Sequence, residues 1–149
     1  LQWSVLERTE FHLGTQPKKI ELSRFHALET DIQQRVNALQ WRSRPHNLVI
    51  SGTAVEIFAQ LFQTTQNPQI HNQTFSRADI RRWIDTLSQS TQNTRNNLFG
   101  ADSDWKVGII GVCLLLLELC NRSYKDSFTL SEGQIGFGVL MCTPSTSTP

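Results

Sequence analysis

Cysteine and histidine have the widest chemical reach of any residues in this sequence, and their spacing gives them little to act on. His12, His26, His46 and His71 are scattered, with no HxxxH pair and no cysteine at ligand spacing. A tetrahedral zinc site is therefore not indicated. Cys113, Cys120 and Cys142 are odd in number and form no CxxC. On a shared helix Cys113 and Cys120 would stand on one face about 10 Å apart along the axis, too far for a disulfide. Reduced thiols follow, and with them an intracellular, cytoplasmic setting. A Cys–His nucleophile pair needs a thiol whose pKa is lowered, whereas burial in an apolar helix raises it.

Other catalytic patterns are missing from the sequence as well. There is no GxxxxGK[ST], and "GQIGFG" at residues 133–138 has the wrong glycine spacing for a dinucleotide fingerprint. Asp102 and Asp104 read as helix-start residues and not as a carboxylate pair. The sequence thus predicts no enzyme, no catalytic or metal-binding residue, no cofactor and no small-molecule substrate. Two sequons, at Asn72 and Asn121, would matter only in a secreted chain. No leader is visible, so both read as chance matches.

Binding is the chemistry left. Trp3, Trp41 and Trp105 flank the predicted helices, and their rings are of the type enriched at protein interfaces; the same rings would also close the ends of a core. They are the candidate contacts to another protein or to a second copy of the chain. Arg77, Arg81 and Arg82, joined by Arg95 and by Arg42 and Arg44, are the alternative. Arg77 and Arg81, four apart on one helix, would share a face and could hold the phosphates of DNA or RNA. Asp79 and Asp85 balance that face, and no short turn joins two helices as a helix-turn-helix requires. The expected function is accordingly a non-catalytic regulatory or adaptor domain, with nucleic-acid binding second.

Composition agrees with a globular unit of no strong charge. Fourteen basic residues face thirteen acidic ones, for a net charge of +1, and residues 1–75 and 76–149 are both nearly balanced. That excludes a strongly basic nucleic-acid or membrane surface. At 149 residues the chain fits one domain, expected over residues 1–142, with "TPSTSTP" at 143–149 as a flexible tail. It begins with Leu1, which suggests a trimmed or processed chain or a segment of a longer protein.

The elements that must position these residues are mainly helical. Leu22, Phe25, Leu28, Ile32, Val36 and Leu39 recur at spacings of three and four, predicting an amphipathic helix over 20–41. "TAVE" at 53–56 has the form of a capping box and predicts a second helix. The "LVI" at 48–50 either extends that helix or approaches it. Ser76, Asp79 and the pair Phe75 and Ile80 sign the start of a third helix, with Ile80, Trp83, Ile84 and Leu87 inward. "SQSTQNTRNN" at 88–97 reads as a solvated loop. The run "VGIIGVCLLLLELC" at 107–120 is too short to cross a bilayer and greasy on nearly all sides, so it predicts the central helix of a bundle. Alternation in "ERTEFHLG" and in residues 135–141 suits short terminal strands, although the first also suits a helix through Trp3 and Leu6. The predicted fold is mainly α: a compact bundle of about four principal helices, with possible short β segments at the termini.

Overall fold

The computed structural model describes residues 4–40, 47–50, 73–99 and 107–131. Among these residues are five helices and one three-stranded sheet: α1 (Val5–Leu13), α2 (Leu22–Asn37), β1 (Val49–Ile50), β2 (Thr74–Ser76), α3 (Arg77–Ser88), α4 (Gln92–Phe99), α5 (Gly108–Ser123) and β3 (Ser127–Leu130). The strands lie in the order β1-β3-β2, with β1 parallel and β2 antiparallel to β3. The expected mainly α bundle of about four helices is therefore corrected to a mixed α/β arrangement. The "ERTEFHLG" segment is helix through Leu13, β3 begins at Ser127, and the alternating residues 135–141 lie outside the described residues. The second predicted helix, from Thr53, lies outside the described residues, as does the tail 143–149.

The run at 107–120 becomes α5, the element against which α1, α2 and α3 all pack. Eleven of its sixteen residues are buried, from Gly108 to Ser123. A helix apolar all round needs neighbours on every side. Gly111 shows how one of them fits. A Cβ there would collide with the Thr9 hydroxyl and lie 3.1 Å from Thr9 Cβ and 3.2 Å from Val5 Cγ2, so α1 can come this close only because the residue is glycine. Thr9 is itself fully buried and satisfies its hydroxyl by donating to Val5 O at 2.6 Å.

α2 is shorter than its periodicity suggests. Phe25, Leu28, Ile32 and Val36 are buried, but Leu22 and Leu39, which would have extended the stripe, are exposed. α3 starts as its signature predicts. Ser76 Oγ accepts from the Asp79 backbone N–H at 3.2 Å, and Asp79 Oδ2 accepts from the Ser76 backbone N–H at 3.0 Å. Phe75 is buried ahead of it and Ile80 behind, although Phe75 belongs to β2, so strand and helix share that boundary. α4 occupies what reads as a loop in the sequence. Its Thr91 side chain accepts from Thr94 N at 3.2 Å, a local start signal in an otherwise polar stretch.

β3 is the central strand. Phe128 and Leu130 are buried while Ser127 and Thr129 alternate with them, the period of two expected of a sheet with one covered face. Phe75 and Phe128 face each other across the β2–β3 pair with ring centroids 5.7 Å apart. The short turn from α5 to β3 passes through Tyr124 at φ 58°, a left-handed cap that makes the chain reverse. No helix among the described residues is long and apolar enough to cross a membrane.

Candidate functional site

Of the residues singled out in the sequence, Arg77, Arg81 and Arg82 share one cleft, and Arg95 lies apart from them. Trp3, Trp41 and Trp105 lie outside the described residues, as do Arg42 and Arg44. Arg77 begins α3 and is already engaged, with Nη2 2.5 Å from Asp126 Oδ1 and Nη1 donating to Asn121 Oδ1 at 3.3 Å. Arg82 pairs with Asp79 at 3.1 Å on the exposed face, and Arg81 is exposed beside it. The three line an open cleft together with Asp85 and Asp126, so carboxylates are interleaved with the cations.

Arg95 points the other way. Its side chain is 1% exposed, with Nη1 donating to Ser90 O at 2.7 Å and Ser90 Oγ at 3.1 Å and Nη2 donating to Pro17 O. Gln92 N donates to Lys18 O at 3.1 Å, and Lys19 bridges Thr91. Arg95 therefore fastens the start of α4 to the chain between α1 and α2 and offers nothing to a nucleic acid. Burial pushes its pKa down, but a guanidinium starts so high that it stays charged.

The two described thiols are held in the protonated form, which disfavours nucleophilic attack, and Cys142 lies outside the described residues. Cys113 and Cys120 are buried and unbridged. Burial pushes Cys113 up to about 12 and Cys120 up to about 11. Of the histidines, His46 and His71 lie outside the described residues, and His26 is exposed and sits 3.1 Å from Glu29. His12 Nε2 lies 3.2 Å from Asp31 Oδ2, the oxygen that accepts from Arg8 Nε at 2.6 Å. Burial alone would raise the Asp31 pKa, but hydrogen bonds from Arg8 and His12 and their charges outweigh it and hold the carboxyl below its usual range. This group joins α1 to α2. No group of three metal-ligating side chains occurs among the described residues.

One place in the fold collects polar backbone at an edge. β1 and β3 are parallel, with Ile50 opposite Leu130, so their carboxyl ends point the same way. Thr129 N donates to Leu48 O at 2.9 Å, and Ser131 N to Ile50 O at 2.8 Å, which keeps the two ends hydrogen-bonded to their last residue. The chain continues from these adjacent ends as Ser51-Gly52-Thr53 and as Ser131-Glu132-Gly133. In open α/β sheets the carboxyl ends of parallel strands are where ligands bind. This edge is hard to see in the sequence because "LVI" fits a helix extension or a buried approach as well as a strand. The available signal was a β-branched apolar run closed by a glycine.

Nothing matches the chain among protein-family profiles or curated protein sequences. Solved structures do. The chain is similar to the Aquifex aeolicus member of the Ppx/GppA family, with a TM-score of 0.71 and 15% identity over 89% of this chain and 43% of that one. It is similar to the type II variant of the Aquifex aeolicus Ppx/GppA phosphatase at a TM-score of 0.64 and 16% identity, and to an exopolyphosphatase-like protein at 0.66 and 13%. These last two matches cover 89% of this chain and 44% and 45% of the others. The chain thus spans less than half the length of the proteins it matches. The reading as a non-catalytic adaptor, self-associating or nucleic-acid-binding domain without a small-molecule substrate is overturned by this likeness. It took missing motifs in one helical unit for missing chemistry, whereas the fold is α/β and recurs as less than half of longer phosphatases. What the chain shares with the Ppx/GppA phosphatases is the fold of that portion.

Proposed function

We propose that this chain is one part of a phosphatase-type enzyme acting on a small phosphate-bearing substrate, and that the carboxyl edge of β1 and β3 supplies part of its phosphate site. The observation that carries the reading is the parallel β1–β3 pair, whose ends stand one hydrogen bond apart, Ser131 N to Ile50 O at 2.8 Å. Both strands lead into short polar segments containing glycine, Ser51-Gly52-Thr53 and Ser131-Glu132-Gly133. Glycine lets backbone N–H groups approach a phosphate oxygen closely, and hydroxyls add further donors. The proteins of similar fold, described as Ppx/GppA phosphatases and an exopolyphosphatase-like protein, support a phosphate substrate. Residues 1–142 act in this reading as one unit, and the free thiols of Cys113 and Cys120 favour a cytoplasmic setting.

The test is a titration with orthophosphate and with tripolyphosphate, followed by amide NMR. Shifts should concentrate at Ile50 and Ser131, and Gly52→Val should weaken binding at least tenfold. Shifts confined to Arg81 and Arg82, or unchanged affinity in the variant, would remove the edge from the site. Phosphate release is then measured on the full-length enzyme.

A further inference from the structure

We draw no further inference here: the strongest candidate, the open cleft at the first turn of α2 lined by Lys18, Lys19, Ser23 and Arg24, rests on a helix N-terminus and surface cations, and no buried unpartnered group points to a ligand there.

Discussion

Arg95 and Asp31 illustrate how differently two charged side chains can be held. Among the described residues Arg95 is met by neutral acceptors, Ser90 O, Ser90 Oγ and Pro17 O. Replacing it with methionine keeps the bulk but strands those acceptors, and each unsatisfied buried group costs about 1–3 kcal/mol. Arg95→Met should lower stability by roughly 2–4 kcal/mol in urea unfolding on the same basis; a loss below about 0.5 kcal/mol, typical of an ordinary surface site, would show that the buried contacts do not hold the segment. Asp31 and Asp79 are both held below the usual carboxyl range, Asp31 by Arg8 and His12 against its burial, Asp79 by the Ser76 hydroxyl and backbone N–H. A depressed folded pKa stabilises above the unfolded value, near 4, and that stability is lost as pH falls through the folded value. Asp31→Asn should therefore flatten the acid limb of stability below about pH 4; an acid slope identical to the parent protein would refute the linkage. The Ser76–Asp79 pairing was legible in the sequence, whereas the partners of Arg95 and Asp31 were not. Arg95 looked like one more exposed arginine, because a single buried residue in a polar stretch leaves no periodic trace.

At the scale of elements, legibility followed the strength of local signals. α3 was readable to the residue because its capping box and the flanking Phe75 and Ile80 are local. α5 was readable because its composition permits no solvated face. α4 escaped because, among residues 92–98, Arg95 alone is buried and Asn93, Thr94 and Asn97 beside it are exposed and polar. The sheet escaped because β1 has only two residues and its partner, β3, lies some eighty positions later. The α1–α5 contact makes a sharper claim. Gly111→Ala would add helix propensity worth about 1 kcal/mol, but its methyl meets a β-branched Thr9 whose hydroxyl is bound to Val5 O. Overpacking of this kind typically costs about 1–3 kcal/mol. The variant should melt lower, and Thr9→Ala in the same chain should recover part of the loss. A single variant that melts higher would mean that the helices separate freely. Cys113 and Cys120 report on the same helix. With thiols pushed up to about 12 and about 11, neither should react with a maleimide in the native protein near pH 8, whereas both should react in denaturant, as peptide masses would show.

At the scale of the whole molecule, the similarity to less than half of longer phosphatases makes the β1–β3 edge the feature to test against a complete active site. If the longer protein releases phosphate as proposed, Gly52→Val should reduce that release at least tenfold and Ser131→Ala less, since the serine's backbone N–H survives. Equal activity in all three proteins would place the substrate elsewhere. The overall class could not be read from composition, because a small sheet inside a helical majority changes the residue statistics very little. Position along the chain has a consequence of its own. α5 and β3 are central in space but late in sequence, so during synthesis the inner faces of α1, α2 and α3 emerge from the ribosome before the helix that covers them. A nascent chain ending before residue 107 lacks the helix against which α2 and α3 pack, and species with such exposed apolar faces are prone to aggregate. Chains cut before residue 107 should accordingly aggregate more readily than the whole unit.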